Sequence, residues 1–199
     1  MRYLALGDSY TIGTGASTQD HAWPSIIAAH LGAELTNPAV NGYTTLDLIR
    51  DELPLLERVN PDLVSVLIGV NDLVQGRTLE QYRTSLVNIY NAVASLQLGP
   101  GRVVAISIPN WSVVPAAATF GAPDALKRLT DDFNDLARHE AQARGFTWVD
   151  ITAVSTSGTG SPGWISSDQL HPGDPQYAKW ADVIWDAVRE PWAAAAARP

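Results

Sequence analysis

Apolar residues fall into two alternating patterns along this chain. Short continuous runs occur at 3–6, around Leu35, and at 63–68, 103–107 and 146–149, each flanked by glycine, proline or polar residues. Runs of that length and β-rich character predict buried strands. The segments between them carry apolar residues three and four apart, the spacing of one helical face. Over 79–97 the stripe is Leu79, Tyr82, Leu86, Ile89, Tyr90, Val93 and Leu96. Thr78 with Gln81 predicts a capping box at its start, and Gly99-Pro100-Gly101 a stop at its end. A second helix is predicted over 123–144, with Leu126, Leu129, Phe133 and Leu136 inward and Gly145 as its stop. A third begins at Thr44 or Thr45, and Pro54 should end or kink it. The last starts near Pro175 and presents Tyr177, Trp180, Ile184 and Val188.

Continuous apolar strands joined by helices predict an α/β fold, a parallel sheet covered on both faces. With no internal repeat, charge block or linker, residues 1–199 read as one domain. Two irregular stretches stand out: 109–123, apolar and containing Trp111, and 152–167, rich in Ser, Gly and Thr and expected to be a surface loop. In doubly wound sheets ligands bind beyond the carboxyl ends of the strands. Ser9, Asn71, Pro109-Asn110-Trp111 and the 152–171 segment all follow predicted strands, so they should gather at that end.

Composition narrows the function classes. Apolar content of 46% against 17% charged is that of a globular chain. A net charge of −8 without a basic run argues against a nucleic-acid partner. The absence of cysteine excludes disulfides and a thiol nucleophile. Neither an HExxH pattern nor clustered carboxylates suggests a metal, and Gly13-Thr14-Gly15 completes no dinucleotide or phosphate-loop fingerprint, so no cofactor is expected. His21, His30 and His139 read as surface or structural residues, and Trp148, Trp180, Trp185 and Trp192 as packing residues. No segment approaches the ~20 apolar residues of a membrane span. The chain opens directly into a strand with no apolar leader, which gives a cytoplasmic location as the expectation. Nothing in the sequence fixes an oligomeric state.

Four polar positions then fit one reaction. Ser9, just past the first strand, can act as a nucleophile if a base takes its proton, and His171 is the candidate base. Asp168, three residues before it, could hold the imidazole in the right tautomer. Acyl transfer also needs donors aimed at the developing oxyanion. The Asn71 amide, the Gly42 backbone N–H, which no Cβ shields, and the Ser9 N–H are the candidates. Taken singly, each has an ordinary reading: a helix cap for Gly7-Asp8-Ser9 or Asn71-Asp72, a turn for Asn41-Gly42, a cap or turn for Asp150, which is a rival for the acid. Four such blocks in order, each beyond a strand, make catalysis the better account. Tyr10, Asn110, Trp111 and Trp164 are candidates for lining a substrate pocket.

Gly7-Asp8-Ser9-Tyr10, Gly42, Gly69-Val70-Asn71-Asp72 and Asp168-Gln169-Leu170-His171 follow one another as in the GDSL-type, or SGNH, hydrolases, and the chain resembles that family over nearly its whole length. Tyr10 stands where the name motif has leucine. The resemblance implies a flavodoxin-like three-layer α/β/α sandwich with a five-stranded parallel sheet. It implies Ser9 as nucleophile, His171 as base, Asp168 as its partner, and Gly42, Asn71 and the Ser9 amide as the oxyanion hole. Asp8 resembles the aspartate that organises the nucleophile turn. The expected activity is cofactor-independent hydrolysis of a small acyl ester or thioester through an acyl-enzyme. An O-acyltransferase would share the constellation, and a non-catalytic ligand-binding domain would share the fold.

Overall fold

A computed structural model of the chain describes residues 1–196. Five parallel strands form one sheet: β1 Arg2–Gly7, β2 Glu34–Thr36, β3 Leu63–Leu67, β4 Val103–Ile106 and β5 Thr147–Val149, in the order β2-β1-β3-β4-β5. Every residue of β3 is buried, which is why this strand reads as a continuous apolar run rather than an alternation. Its single polar residue, Ser65, bonds the Tyr3 hydroxyl of β1 at 2.8 Å, so no hydroxyl in the sheet centre is left unpaired.

Nine helices connect the strands among the described residues: α1 Ser9–Ile12, α2 Trp23–Leu31, α3 Thr45–Asp47, α4 Leu55–Val59, α5 Val70–Val74, α6 Leu79–Ala94, α7 Pro123–Gln142, α8 Thr152–Thr156 and α9 Asp174–Ala196. α2 and α9, which follow β1 and β5, pack on each other, while α6 packs on α7 and against α3. The sheet therefore lies between two helical layers, the three-layer α/β/α arrangement. Because the chain steps from β1 outward to β2 and then crosses back over β1 to β3, the C-terminal ends of β1 and β3 flank a topological switch point. Ser9 follows the first of these ends and Asn71 the second.

The capping box at Thr78 and Gln81 is present, with both hydrogen bonds formed. Pro54 acts as expected: the helix begun at Thr45 loosens into a π-turn over Leu48–Glu52, and Pro54 caps a separate helix, α4. Two inward positions are corrected. Leu79, at the first residue of α6, is 38% exposed, and Leu129 of α7 is 45% exposed. The buried row of α7 is Leu126, Thr130, Phe133, Ala137 and Ala141, and Thr130 takes the inward place because its hydroxyl accepts the Trp111 indole N–H at 3.1 Å. The 152–167 stretch is also more than a surface loop. It contains α8, and both Ser155 and Trp164 are buried within it. Asp150, just before this stretch, makes a turn into it: its Oδ1 accepts from the Thr152 amide at 2.8 Å and hydroxyl at 2.6 Å, while α8 itself has no side-chain cap.

Candidate active site

β1 ends in a turn that sequence chemistry shapes closely. A side chain on Gly7 would collide with Thr11 and with the Leu67 carbonyl at the end of β3, so only glycine lets the two strand ends approach here. Asp8 then caps α1: its backbone is extended and its Oδ1 accepts the Tyr10 N–H at 3.0 Å. Ser9 is the first residue of α1, where a backbone N–H has no acceptor within the helix, and its side chain is almost fully buried. Burial pushes the Asp8 carboxyl up to about 7, opposed by the Tyr10 hydrogen bond and reinforced by the charge of Asp72.

After β3, Gly69 adopts φ +132° and turns the chain into α5, which carries Asn71 and Asp72 in its first turn. Asn71 Nδ2 donates to the Tyr43 carbonyl at 2.9 Å. Buried Asp72 accepts from the Thr45 amide at 2.8 Å and hydroxyl at 2.5 Å, and from Arg77 Nη1 at 2.7 Å. These bonds bind the 41–45 loop to α5, so the glycine block and the asparagine block form one unit. Gly42 sits in that loop at φ +82°, and a Cβ there would touch nothing within 4 Å. Left-handed backbone, rather than close approach, is the reason for glycine at 42. The same loop is tied to the Ser9 side by the Thr14 hydroxyl, which donates to Asn41 Oδ1.

Asp168 and His171 occupy a tight loop between an Ile165–Pro172 bridge and the Ser166 N–H to His171 carbonyl bond of 2.8 Å. Gln169 takes left-handed φ (+63°) to make the reversal. The His171 Nδ1–H donates to Asp168 Oδ2 at 2.6 Å. Asp168 Oδ1 accepts from the Ser166 hydroxyl at 2.6 Å and from the backbone N–H groups of Leu170 and His171 at 2.8 and 2.9 Å. Partial burial would raise this carboxyl, but those donors outweigh it and hold it well below the usual carboxylate range, so it remains an anion beside the imidazole. With Nδ1 engaged, Nε2 is the nitrogen left for chemistry. Tyr10 supports the ring edge-on, at 5.9 Å between centroids, and leans in turn on Trp180 at 5.7 Å.

Ser9, Asn71 and His171 line one cavity of about 60 Å³ together with Tyr10, Val70, Val74, Trp111, Phe120 and Leu170. Tyr10 and Trp111 thus lie beside the candidate nucleophile. Asn110 and Trp164 do not. Asn110 accepts from the Ser112 hydroxyl at 2.7 Å and lines a separate small cavity behind Tyr10 and Trp111. The Trp164 indole packs over Gly158 and donates to the Ser155 carbonyl at 3.0 Å, and the residue lines a different cavity with Val113, Pro115 and Gln169. Both residues are drawn off by local partners that their spacing does not reveal. Phe120, from the apolar 109–123 stretch, lines the cavity beside Ser9. Sequence reasoning passed over Ser166 and gave Asp72 no role beyond a helix cap. Of these only Asp72, next to Asn71 in its motif, carried a visible signal.

A wider cleft of about 330 Å³ between Val93, Gly99, Arg144 and Phe146 lies at the opposite, N-terminal ends of the strands and contains no nucleophile or base pair. Among the described residues no group of His, Asp and Glu could hold a metal ion, and no helix is long and apolar enough to cross a membrane.

The GDSL-like Lipase/Acylhydrolase family model matches residues 5–179, a span that contains all four motif blocks. A lipase of Streptomyces rimosus is 25% identical, with 84% of this chain and 77% of that protein covered. An arylesterase of Vibrio mimicus is 27% identical, with 90% and 83% covered. In fold, the chain is similar to the psychrotrophic esterase EstA from a Pseudoalteromonas species, with a TM-score of 0.73, 17% identity, and 95% and 97% of the two chains covered. From these matches, this chain belongs to the GDSL-like Lipase/Acylhydrolase family and is an ester-hydrolysing enzyme.

Proposed function

We propose that residues 1–199 act as one catalytic domain that cleaves small acyl esters or thioesters through an acyl-enzyme on Ser9. The observation that carries this reading is the shared cavity: Ser9, Asn71 and His171 line it, while Asp168 holds His171 Nδ1 at 2.6 Å and leaves Nε2 free to act as base. Ser9 Oγ attacks the carbonyl carbon and passes its proton to His171 Nε2. The oxyanion that forms is met by the Asn71 amide and by the Ser9 and Gly42 N–H groups. Collapse breaks the bond to the leaving alcohol or thiol, which takes the proton from Nε2. Water then attacks the acyl-enzyme and gives its proton to the same nitrogen; collapse breaks the acyl–Ser9 bond, Ser9 Oγ takes that proton back, and the acid is released.

The walls favour an apolar acyl group. Val70, Val74, Trp111, Phe120 and Leu170 surround the polar trio, and Val74 and Phe120 are 37% and 47% exposed, which leaves an apolar rim at the mouth. Ser9→Ala should fold with an unchanged melting temperature and lose turnover of a short p-nitrophenyl ester, and a fluorophosphonate should label the parent enzyme at Ser9 alone. Retained turnover in the alanine variant would remove Ser9 from the mechanism.

A further inference from the structure

Beneath the nucleophile turn lies a carboxylate that the reaction does not use. Glu52 is the last residue of the π-turn over Leu48–Glu52, where the Leu53 N–H bonds the Leu48 carbonyl at 3.0 Å. The widened turn brings the side chain inward, and only 1% of the residue is exposed. Glu52 Oε2 accepts the Gly7 N–H at 2.9 Å. Gly7 is the residue before Asp8 and two before Ser9, so this bond fixes the last peptide of β1 ahead of the nucleophile. The remaining oxygens of the two carboxyls, Glu52 Oε1 and Asp8 Oδ2, are both buried without a hydrogen-bond partner among the described residues.

Two buried carboxylate oxygens without partners, near enough for the charge of Asp8 to act on Glu52, would be costly if both groups were charged. Of the groups around Glu52, Asp8 at the end of β1 is a like charge, and Asp72 beyond it is already committed to Thr45 and Arg77. Asp47 and Asp51, from α3 and the π-turn itself, pair with Arg50 at the surface. Glu57 and Arg58 of α4 and Glu80 and Arg83 of α6 are exposed, and inward-facing Tyr82 of α6 is pushed well above its usual range by burial. Among the described residues no cation therefore reaches Glu52 to stabilise its ionised form.

We propose that Glu52 is a positioning residue for the nucleophile: in its protonated form it holds the Gly7 peptide, and with it the Asp8-Ser9 turn, in the reactive geometry. The proposal rests on Ser9 being the nucleophile. Burial pushes the Glu52 carboxyl up to about 8, opposed by the Gly7 hydrogen bond and reinforced by the charge of Asp8. Loss of its proton sets two buried carboxylates against each other across the turn, and the repulsion acts on the backbone that carries Ser9. The expected signature is a fall in kcat, with little change in KM, as pH rises through about 8.

The test measures kcat and KM from pH 6 to 9.5 for the parent enzyme, Glu52→Gln and Glu52→Leu, together with the rate of fluorophosphonate labelling at Ser9. Glutamine still accepts from Gly7 and cannot ionise, so it should hold kcat steady above pH 8 where the parent falls. Leucine loses the acceptor and should lower kcat by roughly tenfold or more at every pH with KM near that of the parent, a loss that glutamine largely restores. Superimposable pH profiles for parent and Glu52→Gln, or parental kcat in Glu52→Leu, would overturn the assignment. If the leucine variant fails to fold, the glutamine profile decides. Absence of labelling at Ser9 in the parent at pH 7 would count against the nucleophile instead, whereas normal labelling with unchanged glutamine profiles counts against Glu52 alone.

Discussion

Asn71 illustrates how one side chain can serve two masters at the residue scale. One N–H of its amide is spent on the Tyr43 carbonyl at 2.9 Å, which fixes the plane of the group, while the residue lines the cavity beside Ser9. A donor fixed in advance costs no reorganisation when charge develops on a substrate carbonyl. Asn71→Ala should therefore lower kcat by about 10²–10³ with a much smaller change in KM. Steady-state kinetics on a short p-nitrophenyl ester will read this, and an unchanged kcat would exclude the amide from the oxyanion site. Asp72, the next residue, works entirely behind the site, since its bonds to Thr45 and Arg77 hold the 41–45 loop that supplies the Tyr43 carbonyl. Its motif position marks it as significant, but the sequence could not show that its partner is Thr45, 27 residues away.

At the scale of elements, legibility follows how local the determining interactions are. The start of α6 was visible because a capping box is written within four residues, and both of its bonds are formed. β1, β3 and β4 were visible because burial on both faces leaves an unbroken apolar run, whereas the edge strand β2 offers only Leu35 between two polar residues. Leu129 and Trp164 were misplaced for the complementary reason: the inward place on α7 goes to Thr130 for the sake of Trp111, and Trp164 follows the Ser155 carbonyl, both choices made by tertiary partners. The π-turn at Leu48–Glu52 was likewise hidden, since Pro54 announces only that a helix must break and not how its last residues will point. Local determinants also give a local energetic forecast. Thr78→Ala removes the side-chain acceptor for the Gln81 amide and should cost about 1 kcal/mol in urea unfolding. A loss below a few tenths of a kcal/mol would mean that packing on α7 alone sets the start of α6.

For the whole molecule, the protonation of its carboxyls sets a pH dependence of stability with two opposing arms. Asp51, Glu140 and Asp174 are held below the usual carboxylate range, each first by a side-chain hydrogen bond, from Arg50, Arg144 and Ser17 respectively. Their contribution is present above the unfolded values and is lost as pH falls through the folded ones, because unfolding then takes up protons. Asp8 and Glu52 behave in the opposite sense, since burial raises them from 3.8 to about 7 and from 4.5 to about 8. Between those limits the folded chain binds protons that the unfolded chain has released, so stability falls as pH rises through that window and levels off beyond it. The two arms meet near pH 4.5, close to the isoelectric point of about 4.8, where self-repulsion of a chain carrying −8 at neutrality is also least. Calorimetric melting temperatures taken from pH 3 to 9 should therefore peak near pH 5 and decline by several degrees toward pH 8. A plateau from pH 5 to 8 would show that Asp8 and Glu52 are ionised in the folded protein at neutrality, and the strain beneath the nucleophile turn would then have to be relieved by some other group.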